Sequence, residues 1–343
     1  MSNVESKKTQ VYAVVKITTA LLVVLGHATV MYTADGAIPV SGASRTLAAV
    51  TEFIYNFHMP LFFFVTGCVY GHGVAAGKYV DGGAFVINKA RRLLLPYLFV
   101  GVFYVAPVMR LLALTDQGYF SYIADGILLS RNPRHLWFLP ALFLIFMLAV
   151  FVKPITRRYP YVPLAAALVL HIAVRHAALP IPGVFRLWEV FAYAVYFAAG
   201  AFSDRYMTRL LDFFRKRRAA AAVLSAVCAV TLVLLDAFIP DTVAAAAGIM
   251  LIFYISFCAV EYGRVAGSRV MTVLSRDAFG IYLFHPMINY VIFYFLGNGS
   301  IPPAVVCAAS FLFSTVGALV ITEAVRGLRL SAIIGERGVK TQK

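Results

Sequence analysis

The chain has 343 residues, of which 62% are hydrophobic and only 13% are charged, and its mean hydropathy is +0.84. A soluble protein carries about twice this fraction of charged residues, so the composition argues against a soluble globular enzyme. The net charge of +15 comes from cations spread along the chain rather than clustered in one basic module, which argues against a nucleic-acid-binding protein.

Apolar runs of about 20 residues recur along the chain and are separated by short basic or Pro/Gly-containing stretches. Runs of this length cross a bilayer as helices, which predicts an all-α, polytopic membrane protein. We predict about ten transmembrane helices in one bundle, within a single integral-membrane domain over 1–343 that has short basic tails at 1–10 and 326–343. The predicted spans are 11–33, 48–72, 88–112, 135–155, 161–177, 187–203, 219–238, 243–262, 276–296 and 302–324.

The distribution of cations predicts the orientation of these helices. If the N-terminus is cytoplasmic, most of the 30 Lys and Arg residues fall in loops and tails on the cytoplasmic side. Cytoplasmic loops of membrane proteins are enriched in cations, so both termini are predicted to be cytoplasmic. The loops on the other side hold only Arg45, Arg131, Arg134, Arg175 and Arg186.

The first predicted span contains a lysine and a histidine, Lys16 and His27, eleven positions apart. Eleven residues at about 100° each return a helix to within roughly 20° of the same face, about 16 Å further along its axis. An imidazole at membrane depth is costly and is typical of a site inside the protein. We therefore predict that this helix presents a cation and a histidine along one inward-facing stripe.

The second predicted span contains His58, followed closely by Pro60. Proline removes a backbone donor and crowds the preceding turn, which predicts a kink beside the histidine. His58 is either a structural histidine bonded to a backbone carbonyl or part of the wall of a reaction chamber, and both interpretations stay open from the sequence.

The third predicted span opens with three cations within four residues, Lys89, Arg91 and Arg92. Cations at a helix start oppose the helix dipole, so they need another reason to be there. They are either the positive-inside signal alone or a phosphate-binding patch, because guanidinium groups bind phosphate oxygens through paired hydrogen bonds.

The fourth predicted span begins with Arg134, His135 and Trp137. These residues are either part of an aromatic belt at the membrane interface or a site that combines ring-stacking surface with hydrogen-bond donors, which suits a carbohydrate. In the ninth predicted span, Tyr282, His285 and Asn289 follow i, i+3 and i+7 spacing and form a polar stripe that should point into the bundle.

No metal site is predicted, because neither His27 nor His58 has a His or Cys at i+3 or i+4. His171 and His176 are interpreted as packing or outer-loop residues. The four cysteines lie in apolar segments without paired spacing and are interpreted as small packing residues: Cys68, Cys228, Cys258 and Cys307.

Five segments together resemble the acyltransferase-3 family, and most closely its fucose 4-O-acetylase-like branch of sugar O-acetyltransferases. The resemblance covers the whole chain in order. The segments are LVVLGH ending at His27, FHMPLFFFVTG at 57–67, RRLLLPY at 91–97, LWFL at 136–139 and GIYLFH at 280–285.

The resemblance implies a ten-helix domain that moves an acetyl group from cytoplasmic acetyl-CoA to a sugar. A hydroxyl in a cell-surface or secreted polysaccharide fits best, while a lipid-linked precursor, a small glycoside or an N-acetyl acceptor stays open. It also implies that the family's catalytic histidine maps onto His27 and its basic partner, usually Arg, onto Lys16. An Asp often found three residues before that basic position is replaced by Ala13, and the extended soluble domain of the glycan-modifying branch is missing.

In the mechanism that this implies, His27 acts as general base on the sugar hydroxyl or first takes the acetyl group itself. His58 and His285 stabilise the oxyanion. The phosphates of acetyl-CoA bind Arg91, Arg92 and Lys89, and its pantetheine arm passes Lys16. The acceptor binds Arg134, His135, Trp137, Tyr282 and Asn289.

The expected location is the bacterial inner membrane, with membrane lipid and polysaccharide-biosynthesis proteins as partners. The main alternative is a proton-coupled transporter or flippase in which the intramembrane histidines form a relay. A structural or signalling membrane protein without catalysis is the third interpretation, and it predicts that substitutions of His27 are silent.

Overall fold

The computed structural model of the protein describes residues 3–177, 180–234, 239–263 and 268–336. It is 81% helical, and these described ranges contain no strand, which confirms the predicted all-α class. The helices are α1 (Asn3–Thr29), α2 (Arg45–Tyr55), α3 (His58–Ala75), α4 (Gly82–Val100), α5 (Ala106–Leu111), α6 (Tyr119–Tyr122), α7 (Phe138–Phe151), α8 (Lys153–Arg158), α9 (Val162–His176), α10 (Leu187–Lys216), α11 (Arg218–Leu234), α12 (Asp241–Glu261), α13 (Arg269–Leu296) and α14 (Pro303–Gly327).

Seven segments among the described residues are long and apolar enough to cross a membrane: Glu5–Tyr32, Arg45–Ala75, Gly82–Leu111, Arg134–Phe151, Asp241–Glu261, Arg269–Leu296 and Pro303–Gly327. Helices α10 and α11 form a further apolar pair bent by 107°, and α9 is a shorter apolar helix. These helices indicate a multi-pass membrane protein. Each of the ten predicted spans overlaps one of these segments, while the count of ten crossings and the side of the termini stay predictions. The end of the predicted span 219–238 and part of the predicted tail 326–343 lie outside the described residues.

The chain packs into two compact units. Unit 1 consists of Met1–Thr29, Arg45–Lys78 and Tyr196–Ala278, and unit 2 of Val30–Ser44, Tyr79–Val195 and Phe279–Lys343. In unit 1, α1 packs against α2, α3 and α12. In unit 2, α4 packs against α7, and the short 3-10 helix Ser331–Ile334 packs against α4.

Small residues allow α3 and α10 to pack backbone against backbone in unit 1. A Cβ at Gly71 would lie 2.7 Å from the carbonyl oxygen of Ala201, and a Cβ at Gly200 would collide with the carbonyl oxygen of Phe64. Close approach through small residues spaced one turn apart is typical of helix pairs in membranes. This part of unit 1 is therefore a closely packed pair of helices.

The predicted kink beside His58 is a complete break between two helices. Helix α2 ends at Tyr55 and α3 begins at His58, so Pro60 lies in the first turn of α3. Backbone N–H groups in the first turn have no partner inside the helix, so a proline costs little there. The break therefore precedes the proline, and His58 lies directly at it.

Candidate active site

Helix α1 carries both Lys16 and His27, as predicted, without interruption between them. Both side chains are half-buried within a helix whose other faces are lined by buried apolar residues. Along an α-helix their Cα atoms are about 16 Å apart on nearly the same face. Each side chain keeps part of its surface accessible, as a group that meets a substrate requires.

The turn of α1 that carries His27 packs on the break between α2 and α3. A Cβ at Gly26 would lie 2.9 Å from Cε1 of Tyr55 and 3.3 Å from Cγ2 of Ile54, so the helix approaches these two side chains closely. The ring of Tyr55 in turn lies 4.7 Å from the ring of His58, centroid to centroid. Unit 1 therefore places the His58 break beside the residue that precedes His27.

The hydrogen bonds of His58 and His285 define what each ring can offer. Nδ1 of His58 lies 3.0 Å from the carbonyl oxygen of Ile54, and Nδ1 of His285 lies 2.7 Å from that of Ile281. A carbonyl oxygen only accepts, so Nδ1 carries the proton in both rings. In the neutral form Nε2 then presents a lone pair, and either ring can donate to an oxyanion from Nε2 only when it is protonated.

A cluster of charged and polar side chains lies at the N-terminal end of α1, and the sequence did not predict it. Nζ of Lys8 lies 2.9 Å from Oδ1 of Asp204 on α10, and the hydroxyl of Tyr12 donates to the same oxygen at 2.7 Å. Lys8 and Asp204 are each only 5% exposed. We call Glu5, Lys7, Lys8, Tyr12, His72, Asp204 and Glu261 the N-terminal ion cluster.

A signal for this cluster was present in the sequence. Residues 1–10 were interpreted as a basic tail, whereas the helix begins at Asn3, so Lys8 and Tyr12 lie one turn apart on one face of α1. The predicted span 187–203 ends one residue before Asp204, although α10 continues to Lys216. Asp204 follows the small-residue stretch 198–201 by one turn, and this position is the signal that could have suggested a buried partner.

In unit 2, His135 and Tyr282 join the turn before α7 to α13. Nε2 of His135 donates to the carbonyl oxygen of Leu283 at 3.1 Å, and the hydroxyl of Tyr282 donates to the carbonyl oxygen of His135 at 2.6 Å. The rings of His135 and His285 lie 6.2 Å apart. The predicted polar stripe on α13 is therefore buried and lies beside His135.

His135 has the opposite tautomer to His58 and His285. Because Nε2 donates to a carbonyl, Nδ1 of the neutral ring presents its lone pair, and this buried atom has no hydrogen-bond partner among the described residues. The side chain as a whole is 7% exposed. His135 is therefore a hydrogen-bond acceptor in the interior of unit 2 rather than an interfacial residue.

The turn that holds these residues has a strained start. Arg134 has a φ of 52°, a conformation that costs a non-glycine residue about 1–2 kcal/mol. Its guanidinium donates to the carbonyl oxygen of Leu114 at 3.0 Å, and Tyr122 donates to the carbonyl oxygen of Asn132 at 3.1 Å. Burial raises the pKa of Tyr122 to about 12, so this donor keeps its proton. Strain held by several bonds in this way is common at functional sites.

The other predicted acceptor residues have partners nearby in unit 2. Trp137 is half-buried, and its ring lies 5.4 Å from that of Tyr193. Asn289 is fully buried and accepts a hydrogen bond from Ser310 on α14. Trp137 is therefore the member of the set with the most accessible stacking surface.

The three predicted phosphate-binding cations are not equivalent. Arg91 and Arg92 are exposed on α4. Nζ of Lys89 instead lies 3.7 Å from the ring centroid of Phe146 on α7 and 5.2 Å from that of Phe85. An exposed guanidinium pair is free to meet a phosphate, whereas the ammonium of Lys89 faces two aromatic rings.

No group of three or more His, Cys, Asp or Glu side chains in the described part of the chain is arranged to hold a metal ion. The four cysteines are free thiols, with Cys68 and Cys307 buried. His171 is 2% exposed and bonds through Nδ1 to the carbonyl oxygen of Ala192 at 2.6 Å, which fits the packing role predicted for it.

Comparison with protein families gives one match, to a family model described as an acyltransferase domain, over residues 13–323. The chain belongs to the acyltransferase-3 family. The matched range contains every predicted site residue of both units. No curated protein and no solved structure matches the chain.

Membership of the acyltransferase-3 family supports acyl transfer as the function, and so favours an enzyme over the transporter alternative. The range that matches the family begins at residue 13, so the α1 members of the N-terminal ion cluster precede it, whereas Asp204 lies within it.

Proposed function

We propose that the protein is an O-acetyltransferase that moves the acetyl group of acetyl-CoA to a hydroxyl of a sugar, in a cell-surface or secreted polysaccharide. We place it in the bacterial inner membrane, with the donor on the cytoplasmic side. The observation that supports this most directly is the geometry of α1. It carries Lys16 and His27 near one face, and the turn of His27 packs on the break that holds His58.

The chemistry assigned to His27 requires a neutral imidazole. In the direct route, the ring accepts the hydroxyl proton while the sugar oxygen attacks the thioester carbonyl carbon, and the carbon–sulfur bond then breaks. The proton passes to the departing thiolate of CoA. In the second route, His27 attacks the thioester carbonyl carbon, the carbon–sulfur bond breaks, and the thiolate of CoA leaves with the imidazole proton. The sugar hydroxyl then attacks the acetyl-imidazole, and its proton returns to the ring as the acetyl group is transferred.

The remaining residues bind, orient and stabilise. We assign the phosphates of CoA to Arg91 and Arg92, whose guanidinium groups are exposed. Lys16 provides a positive charge on the helix that carries His27. His58, with its lone pair at Nε2 when neutral, serves as an acceptor for a donor group, and it stabilises an oxyanion only in its protonated form.

We assign the acceptor to the turn before α7. Trp137 supplies a partly exposed ring on which a sugar stacks, and Arg134 supplies donors. His135 and Tyr282 hold this turn against α13 through their two backbone hydrogen bonds. In this assignment the buried residues position the turn, and the accessible ones touch the sugar.

The direct test is acetyl transfer from radiolabelled acetyl-CoA by purified protein, comparing His27→Ala with His176→Ala. His176 is an exposed histidine on α9 and serves as the matched control. We expect His27→Ala to abolish transfer while its thermal unfolding stays unchanged, and His176→Ala to be fully active. Substantial transfer by His27→Ala would remove the catalytic assignment.

The acceptor is tested in cells. Mass spectrometry of surface glycans from a strain lacking the protein should show the loss of one acetyl group from a defined sugar. Complementation with the wild-type chain should restore that group, and complementation with His27→Ala should not. An unchanged glycan profile would contradict the polysaccharide assignment.

A further inference from the structure

The first turns of α1 contact three other helices of unit 1 through charged and polar side chains. Lys8 pairs with Asp204 on α10 at 2.9 Å, and Lys7 pairs with Glu261 on α12 at 2.8 Å. The remaining contacts of the N-terminal ion cluster are Glu5 to Nδ1 of His72 on α3, at 3.1 Å, and Glu5 to Lys8, at 3.6 Å. The N-terminal end of α1 therefore has a polar anchor on each of these neighbours.

The pair of Lys8 and Asp204 differs from the others because it is buried. Two charges removed from water are tolerated only with close partners, and the loss of one leaves the other uncompensated. Oδ1 of Asp204 receives both the ammonium of Lys8 and the hydroxyl of Tyr12, and Lys8 also lies 3.4 Å from the carbonyl oxygen of Asp204. Two donors one turn apart on α1 thus converge on one carboxylate oxygen, so a rotation or a slide of α1 disturbs both contacts.

The carboxylate cannot follow a movement of α1, because its own helix is held. Asp204 lies one turn beyond Gly200, where the backbone of α10 touches the backbone of α3. About one turn further along α3 from Cys68, Gly71 makes the corresponding contact with Ala201. Backbone contacts of this kind leave no flexible side chain to absorb a shift. Asp204 is therefore a fixed point for α1.

At the opposite end of α1, the contact with α2 is made by side chains. There Gly26 meets the side chains of Ile54 and Tyr55, which can change rotamer, rather than a backbone. A helix is stiff along its length, so the axial position set at Lys8 is transmitted to Lys16, about 12 Å away, and to His27, about 28 Å away. The anchor at the N-terminal end thus sets the register of the whole helix.

We propose that Asp204 is a positioning residue: through Lys8 and Tyr12 it sets the rotation and axial register of α1, and thereby places Lys16 and His27 for acyl transfer. This inference rests on the proposed function for its catalytic consequence, but the positioning of α1 is measurable without it. Lys8 and Tyr12 precede the range that matches the acyltransferase-3 family, so this role falls partly on residues outside that range.

The first experiment measures acetyl transfer by Asp204→Asn, with Asp212→Asn as the matched control. Asp212 lies two turns further along α10, is half-buried and pairs with Arg215 at 2.6 Å. A small misplacement of a catalytic group costs up to about a hundredfold in rate, so we expect kcat to fall by about tenfold to a hundredfold in Asp204→Asn. Asp212→Asn should retain the wild-type kcat, and Asp204→Glu should recover part of it.

A second variant separates positioning from stability. Lys8→Met, Tyr12→Phe and Asp204→Leu together replace the three polar groups by apolar ones of similar size, a change that often leaves a buried ion pair site stable. We expect this triple variant to unfold at the wild-type temperature but to keep the low kcat, because apolar contacts do not fix register. Recovery of wild-type kcat together with wild-type stability would overturn the proposal.

A third measurement reports on α1 without catalysis. Ala13→Cys places a thiol on the half-buried face three residues before Lys16, in a background with the four native cysteines replaced by alanine. We expect the triple variant to react severalfold faster with a maleimide than the parent, and Asp212→Asn to react at the parent rate. Equal labelling rates in all three would overturn the proposal. If the wild-type protein transfers no acetyl group, the proposed function fails, and the labelling rates alone decide whether Asp204 anchors α1.

Discussion

The ammonium of Lys89 on α4 lies 3.7 Å from the centre of the Phe146 ring on α7. Arg91 and Arg92, which follow in the same turn, are exposed. Three cations that look alike in sequence therefore have two roles: one contributes to the packing of α4 on α7, and two present guanidinium groups to the surroundings.

We expect Arg91→Ala and Arg92→Ala to raise the KM for acetyl-CoA by about tenfold each, since a hydrogen bond to a charged group contributes about 1.5–3 kcal/mol. Lys89→Met should leave this KM unchanged and lower the unfolding temperature instead, because it removes a cation–π contact worth about 1 kcal/mol. Steady-state kinetics with acetyl-CoA and thermal unfolding of the same preparations check both. Arg157→Ala, an exposed arginine on α8, is the control for loss of surface charge. If Lys89→Met raised this KM while the two arginine variants left it unchanged, the phosphate-binding cation would be Lys89.

The contact between α3 and α10 predicts a large effect from a single methyl group. Gly200→Ala and Gly71→Ala each introduce a Cβ into a backbone of the facing helix, and forced overpacking costs about 1–3 kcal/mol or more. Both variants should unfold at lower temperature than the wild type. Gly327→Ala is the matched control, because nothing lies within 4 Å of the Cβ it adds at the end of α14. An equal unfolding temperature for Gly200→Ala and Gly327→Ala would contradict the close packing of these helices.

The two hydrogen bonds between His135 and α13 should behave as a unit. His135→Ala removes the donor to the buried carbonyl of Leu283, and Tyr282→Phe removes the donor to the carbonyl of His135. Each change leaves a buried carbonyl without its donor, which costs about 1–3 kcal/mol. Because both bonds close the same junction, the double variant should lose less stability than the sum of the single losses. Denaturant unfolding of the three variants measures this coupling. Tyr294→Phe changes an exposed tyrosine on the same helix and should have no effect on stability. A double variant whose loss of stability equals the sum of the two single losses would show that the bonds act independently.

Much of the fold was predictable because its signals are local. Each apolar run forms a helix, and the stripe of Tyr282, His285 and Asn289 is buried as its spacing predicted. The N-terminal ion cluster was missed because its members are far apart in the sequence. Lys8 resembles a tail cation, and its partner Asp204 is 196 residues away. The break before His58 lies where Pro60 predicted a kink, because a proline crowds the carbonyl one turn earlier, here that of Asn56.

The turn at Gly335 packs against the backbone of α4 at the arginine pair. Gly335 has a φ of +70°, and a Cβ there would lie 2.6 Å from the carbonyl oxygen of Arg92. The guanidinium of Arg326 holds this turn through Nε, 3.0 Å from the Glu336 carboxylate. Gly335→Ala therefore adds both left-handed strain, about 1–2 kcal/mol, and a clash with the backbone that carries Arg92.

Gly42→Ala separates these two contributions. Gly42 has a φ of +87°, but its nearest neighbour would be Cγ of Pro303 at 3.6 Å, so alanine there adds strain without a clash. We expect both variants to lose stability, but only Gly335→Ala to raise the KM for acetyl-CoA, because only there is the backbone of Arg92 displaced. Kinetics at a temperature well below both unfolding transitions make the comparison. A wild-type KM in Gly335→Ala would show that the turn supports α4 without shaping the site of the arginine pair.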